Sequence, residues 1–177
     1  MSLVREAPVM ITLQELELRR VEVRKTYASG DLDYHTVEFQ QQGPLKVEAV
    51  AELLGSEIRI RGHLGTRLRA QCDRCLAPVE FPVEHDFDLF YRPMESIARE
   101  EEIEVPDDES EVGFYSGEGI EVDDLVTEQV ILSVPMKIVC RAACLGLCPV
   151  CGVDRNQQKC GCSDRRLDSP FASLKGE

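Results

Sequence analysis

The sequence predicts an α+β fold, with an antiparallel β-meander, one main helix and a C-terminal cysteine-rich knuckle. Apolar and polar residues alternate over residues 45–91, as in strands that bury one face. After residue 119 the apolar residues recur at helical spacing instead. Six of the eight cysteines then fall within residues 140–162.

Length and charge limit the classes of protein to consider. A chain of 177 residues is long enough for one domain with a sizeable core and a small appendage. The formal net charge of −13 argues against binding naked nucleic acid through overall charge. The charge is uneven, because residues 58–72 hold four arginines, one histidine and no acid.

The sequence predicts a cytoplasmic location. It has no apolar run long enough to span a bilayer. Its N-terminal residues lack an apolar core followed by a small-residue cleavage site. Thiols stay reduced in the cytosol, so the cysteines are interpreted as metal ligands or redox groups before disulfides.

The strands are predicted from period-two patterning. Residues 9–27 favour a strand, although Leu13 and Leu16 would also suit a helical turn. In residues 45–91 the sequence Leu-Gly-Ser-Glu at 54–57 predicts a hairpin turn. Gly62 and Gly65 are expected to interrupt the next pairing. The first C-x-x-C is expected at a hairpin tip.

The helix is predicted to follow an acidic linker at about residues 93–118. Asp123 suits an N-cap and Pro135 ends the helix. The helical stripe consists of Leu125, Val126, Val130 and Ile131.

The predicted division is a sheet-and-helix domain at residues 1–139 and a cysteine-rich segment with a tail at residues 140–177. Residues 168–175 of the tail are expected to form a short helical turn.

The cysteine spacing predicts a zinc knuckle. Cys148-Pro-Val-Cys151-Gly152 has the spacing of a tight turn whose N–H groups point at sulfur, with Gly152 at positive φ. Cys160 and Cys162 can close the same site.

A structural zinc site needs four ligands, so eight cysteines allow two sites. One real site with spare cysteines, and free thiols, remain alternatives. The preferred partition is Cys72, Cys75, Cys140 and Cys144 in one site and Cys148, Cys151, Cys160 and Cys162 in the other.

The cysteine pattern does not favour an enzyme. A thiol redox function is the rival hypothesis, but thioredoxin-like C-x-x-C motifs occur in a βαβ context and not in a meander. A zinc deaminase needs H-x-E, and none of the three histidines has this pattern. All-cysteine zinc sites rarely keep the open position that catalysis requires.

Arginines form the second candidate site. Arg59 and Arg61 share the solvent face of one predicted strand, and Arg67 and Arg69 share that of the next. If those strands pair, four guanidinium groups can hold phosphates of RNA. The alternative is a solvated face that pairs with the acidic linker.

Three stretches together resemble the YceD family, the large ribosomal RNA subunit accumulation proteins. The resemblance covers most of the chain after about residue 45. The stretches are CDRC at residues 72–75; EQVILSVPMK at 128–137 with CLGLCPVCGVDRN at 144–156 and CGC at 160–162; and DSPFASLK at 168–175.

The resemblance implies a non-enzymatic role in accumulation of the large-subunit (23S) ribosomal RNA, through processing or assembly. The leading hypothesis is a factor with one or two structural zinc ions that binds pre-ribosomal RNA or an assembly protein through the arginines. No membrane or small-molecule substrate is expected. The alternatives are a thiol redox or metal-responsive regulator, and an interaction module for basic ribosomal proteins.

Overall fold

A computed structural model describes residues 9–94, 112–117 and 119–162. The chain forms two compact units: residues 1–70 with 80–136, and residues 71–79 with 137–177. The second unit therefore includes residues 71–79, which the sequence-based division assigned to the sheet domain. The predicted helical turn of the tail lies outside the described residues.

Strands dominate the described part of the chain, with two helices of six and twelve residues. No helix among the described residues is long and apolar enough to cross a membrane. The elements are β1 (Met10–Thr12), α1 (Leu13–Leu18), β2 (Val21–Tyr27), β3 (Phe39–Gln41), β4 (Leu45–Leu54), β5 (Glu57–Gln71), β6 (Pro78–Pro93), β7 (Val112–Tyr115), β8 (Gly119–Glu121) and α2 (Val122–Ser133).

The main sheet has the strand order β2-β4-β5-β6-β7, with β3 pairing β5. β2 with β4, β4 with β5, and β3 with β5 are antiparallel, in partial agreement with the predicted meander. β7 differs, because it runs parallel to β6 and lies in the predicted acidic linker. β1 and β8 form a separate antiparallel pair.

Residues 9–27 do not form the continuous strand predicted from their alternation. The hydroxyl group of Thr12 accepts a hydrogen bond from the Glu15 backbone at 3.3 Å, which caps α1 after three residues of strand. Leu16 then points from the helix into the core. Local capping outweighs the period-two pattern here.

β5 is one strand of 15 residues, so the expected interruption at its glycines is wrong. Gly62 pairs with Ala49 and Gly65 pairs with Lys46. A Cβ atom on Gly62 would lie 2.5 Å from Cζ of Phe87, so glycine here permits close packing. The predicted turn between β4 and β5 is present, with Gly55 at φ +67°.

α2 ends at Ser133, before Pro135, but its start differs from the prediction. Glu121 is the N-cap residue and makes no side-chain cap. Asp123 instead accepts hydrogen bonds from Lys25 at 2.8 Å and Tyr27 at 2.7 Å. The predicted stripe is buried except for Ile131, which is exposed.

The core of the first unit lies between the inner face of the sheet and the helices. Its largest fully buried side chains are Ile11, Tyr27, Leu45, Val47, Ile58, Ile60, Leu64, Leu68, Val126 and Val130.

Candidate metal centre

The first C-x-x-C forms the tight turn between β5 and β6, as predicted. The backbone N–H of Cys72 donates to the Ala77 carbonyl at 2.8 Å, and Leu76 donates back to Cys72 at 2.8 Å. Leu76 has φ +60°. The turn leaves the side chains of Cys72 and Cys75 buried.

The two residues between these cysteines bind the segment that carries Cys140 and Cys144. Asp73 binds Ile138 twice, with its N–H donating to the carbonyl at 2.8 Å and its carboxylate accepting at 2.6 Å. The Arg74 guanidinium donates to the Cys144 carbonyl at 3.0 Å, and the Arg74 carbonyl accepts from Leu147 at 2.8 Å. Neither Asp73 nor Arg74 was a predicted site residue, and their place between the two cysteines was the available signal.

These contacts gather the first four-cysteine cluster. The Sγ atoms of Cys72 and Cys144 are 3.9 Å apart, and those of Cys75 and Cys140 are 3.7 Å apart. The Cys140 N–H donates to Cys72 Sγ at 3.3 Å. All four sulfur atoms lie within 4.8 Å of one another.

The second cluster is local in sequence. The Cys148 N–H donates to the Val153 carbonyl and the Gly152 N–H donates to Cys148, both at 2.8 Å. Gly152 has φ +73°, as the spacing predicts. The four sulfur atoms, from Cys148, Cys151, Cys160 and Cys162, lie within 4.8 Å of one another.

The thiols are thus grouped in the two sets that the preferred partition gives. A tetrahedral zinc ion with Zn–S bonds of about 2.3 Å places its sulfur atoms about 3.8 Å apart. The separations of 3.7 and 3.9 Å in the first cluster match this spacing and are far too long for disulfide bonds. Both clusters could therefore bind metal ions, and their soft thiolate ligands are consistent with zinc.

The pKa values of the first cluster show why a cation suits it. Burial raises the pKa of Cys72, but backbone N–H groups of Cys140, Arg74 and Cys75 lower it to about 6. Burial and then the neighbouring Cys144 raise the pKa of Cys140 to about 12. The thiolate of Cys72 is favoured and that of Cys140 is disfavoured, and a bound cation would stabilise all four thiolates together.

The second cluster likewise contains one thiol with a lowered pKa and another with a raised pKa. N–H groups of Cys151 and Val150 lower the pKa of Cys148 to about 6. The hydrogen bond to Cys151 and then burial raise the pKa of Cys162 to about 12.

The four predicted arginines occupy one face of a single strand, not of two paired strands. The side chains that alternate with them are buried, so this face of β5 points to solvent. The arginine face consists of Arg59, Arg61, Arg67 and Arg69.

Acids on neighbouring strands pair with the first half of the arginine face. Arg59 binds Asp88 on β6 through two hydrogen bonds, and Arg61 lies 3.2 Å from Glu52 on β4. The expected partner was the acidic linker, and these residues lie outside it. No carboxylate among residues 9–94, 112–117 and 119–162 is within ion-pair distance of the other two arginines.

The histidine on the same face is paired as well. His63 Nδ1 lies 2.7 Å from Asp86 and Nε2 lies 2.9 Å from Glu84. Carboxylates of β4 and β6 therefore pair with the basic side chains of this face up to position 63, and the described acids do not pair with Arg67 and Arg69.

A mainly β protein with two four-thiol clusters in one cysteine-rich unit belongs to the class of candidate metal-binding proteins. Residues 60–176 match the family described as "Large ribosomal RNA subunit accumulation protein YceD". The chain belongs to this YceD family.

The chain is also similar to uncharacterized proteins of Mycobacterium tuberculosis and Mycobacterium bovis. Each is 36% identical over 131 residues, which cover 73% of this chain and 58% of the relative. The chain therefore spans a little over half the length of these curated relatives. No solved structure matches it.

Proposed function

We propose that this protein is a non-enzymatic, cytoplasmic factor that supports accumulation of large-subunit (23S) ribosomal RNA, through its processing or its assembly with proteins. The family match over residues 60–176 carries this proposal, because the family is described by that role.

The proposed metal is structural zinc, with one ion in each four-cysteine cluster. Two sulfur pairs of the first cluster at tetrahedral spacing, and four sulfur atoms within 4.8 Å of one another in each cluster, support this assignment. They also support the absence of catalysis at the metal, because four protein ligands leave no position for water or substrate. In the first cluster the ion would cross-link residues 72–75 to residues 140–144 and hold the second unit in shape.

The proposed contact with pre-ribosomal RNA is the arginine face, and its distal half carries more weight. The carboxylate of Asp88 already occupies Nε and Nη2 of Arg59, one of the guanidinium edges that can hold a phosphate bidentately. Arg67 and Arg69 are exposed, and the described acids do not pair with them. Contact with phosphates therefore breaks no ion pair to a described acid.

A protein partner is the second candidate, favoured by the net charge of −13. A protein with this negative charge attracts basic ribosomal proteins, and salt would weaken the association. A thiol redox or metal-responsive regulator is the further alternative, and it requires thiols that zinc does not block.

Depletion with complementation tests the role in ribosomal RNA accumulation. Cells lacking the protein should show less 23S relative to 16S RNA, and the unaltered protein should restore the ratio. A Cys72→Ser/Cys75→Ser variant should fail to restore it. An unchanged ratio on depletion would reject the proposal. Redox cycling of the purified, zinc-loaded thiols would favour the regulator instead.

A further inference from the structure

Asn156 connects the two cysteine clusters. It lies in the loop between Cys151 and Cys160, which both belong to the second cluster. Its side-chain amide nevertheless donates to Sγ of Cys144 in the first cluster, at 3.4 Å. Both clusters and this loop lie in the second unit, so the contact is internal to one compact body.

The amide group of Asn156 is fixed on both sides. Its Oδ1 accepts from the Arg141 guanidinium at 2.9 Å and from the Leu145 N–H at 2.9 Å. Its Nδ2 also donates to the Asp154 carboxylate at 2.7 Å. These partners assign the oxygen and the nitrogen of the amide, because Oδ1 faces two donors and Nδ2 faces acceptors. The amide of Asn156 therefore contacts three residues, Arg141, Cys144 and Leu145, of the segment that carries Cys140 and Cys144.

The position of Asn156 depends on the loop that the second cluster closes. The Arg155 N–H donates to the Gly146 carbonyl at 3.0 Å, and Leu147 forms a single β-bridge with Asp154. Residues 152–159 have no helix or longer strand to hold them. Ligation of Cys151 and Cys160 would add a constraint at both ends of this loop to the hydrogen bonds that hold it.

We infer that Asn156 couples the two metal sites, so that a metal ion in the second cluster strengthens metal binding in the first. A metal ion in the second cluster orders the loop and sets the amide against Cys144. The N–H donor then stabilises the thiolate that the first metal ion requires. By linkage, the first ion strengthens binding of the second by the same factor. The inference rests on the proposed metal binding and not on the ribosomal role.

A four-protein cycle tests the coupling in the full chain. The proteins are the unaltered chain, Asn156→Ala, Cys160→Ser/Cys162→Ser, and the combination. Chelator-buffered zinc sets the free metal concentration. Protection of Cys72 and Cys144 from alkylation, measured by peptide mass spectrometry, reports the affinity of the first site alone. Each change should weaken that site by roughly 10- to 100-fold, the usual effect of losing a partner of a metal ligand.

The combined variant shows whether Asn156→Ala and loss of the second site weaken the first site through the same coupling or independently. If Asn156 carries the coupling, removal of the second site should have little further effect in the Asn156→Ala chain. Effects that multiply in full, or an unaltered affinity in Asn156→Ala, would overturn the inference. Absence of zinc binding in the unaltered chain would instead reject the proposed metal. Gln157→Ala is the matched control, because the Gln157 side chain donates to Asp154 and makes no hydrogen bond to any of the eight described thiols.

A second measurement avoids variants that lose ligands. The unaltered chain and Asn156→Ala receive one zinc ion per chain, and native mass spectrometry counts the species. Coupling should give mainly empty and doubly loaded chains in the unaltered protein, and more singly loaded chains in Asn156→Ala. Equal fractions of singly loaded chains in both proteins would contradict the coupling.

Discussion

Arg59 and Asp88 face each other across β5 and β6 in a two-point ion pair, with Nε–Oδ1 at 2.8 Å and Nη2–Oδ2 at 2.6 Å. Because this pair is partly exposed, it contributes little to stability, and its main effect is to neutralise the guanidinium. The four arginines of the face are therefore unequal as proposed phosphate ligands.

The first prediction is that Arg67→Gln/Arg69→Gln weakens RNA binding more than Arg59→Gln/Arg61→Gln. Each lost phosphate contact should lower the slope of log affinity against log salt by about 0.7 to 0.9. Affinity for a precursor ribosomal RNA transcript, measured over a salt series, should show a slope lower by about 1.5 for the first pair.

The arginine pairs act as matched controls for each other, because both change the net charge equally. Equal losses of affinity would contradict the distinction between arginines that pair with described acids and arginines that do not. Binding that persists in both variants would shift the proposed partner from RNA to protein.

The second prediction is that metal removal unfolds the second unit and spares the first. The buried cluster of the second unit is small and consists of Cys72, Cys75 and Cys144 with partly buried apolar neighbours. The first unit has its own apolar core. After chelation, hydrogen exchange should accelerate at Cys72 and Cys148, whose N–H groups are bonded within the second unit. Amides of β4 should keep their protection.

Zinc and magnesium form the control pair for this experiment. Zinc should restore the protection and magnesium should not, because magnesium prefers oxygen ligands. Unchanged exchange after complete metal removal would show that the second unit folds without a cation.

Residue spacing alone was enough to predict some features of the fold and the candidate site. The turn at Gly55 follows from local sequence, and so does the positive φ of Gly152. The grouping of the thiols follows from the sequence as well, because a four-ligand site is commonly built from two pairs of closely spaced cysteines.

Contacts that depend on strand register or on tertiary packing could not be predicted from residue spacing. Arg59 meets Asp88 across 29 positions of sequence, and only the alignment of β5 with β6 sets that contact. Asp123 suits a helix cap by local rules, but Lys25 and Tyr27 take its carboxylate through tertiary packing. Asn156 reaches Cys144 only once both loops are folded.

The third prediction concerns the pH dependence of stability at Asp123. Burial raises the pKa of this carboxyl, but hydrogen bonds from Lys25 and Tyr27 lower it more, so the net pKa lies below that of an ordinary aspartate. The unfolded chain therefore takes up the proton first as the pH falls. The stabilisation is fully present above the ordinary pKa of about 3.9 and is lost as the pH falls through the lower, folded value.

Asp123→Asn should lower the free energy of unfolding by about 1 to 2 kcal/mol at neutral pH, and the deficit should shrink below about pH 4. Urea unfolding followed by tyrosine fluorescence measures this, because all four tyrosines lie in the first unit. Asp124→Asn is the matched control, since Asp124 is an exposed acid in the same first turn of α2. Equal deficits for both variants would assign the effect to the helix dipole instead.

The fourth prediction concerns the close packing at Gly62. An added Cβ atom would lie 2.5 Å from Cζ of Phe87 and 2.7 Å from the Glu48 carbonyl oxygen. The backbone oxygen cannot move without disturbing the β4–β5 pairing, so Gly62→Ala should lower the free energy of unfolding by about 1 to 3 kcal/mol. Gly43→Ala is the control, because its added Cβ would meet only Arg67 Cβ at 3.9 Å. It should change stability by less than about 0.5 kcal/mol. If the Gly62→Ala and Gly43→Ala variants unfold at the same urea concentration, Phe87 and β4 can shift to accommodate the added Cβ atom without loss of stability. Packing would then not explain the glycine at position 62.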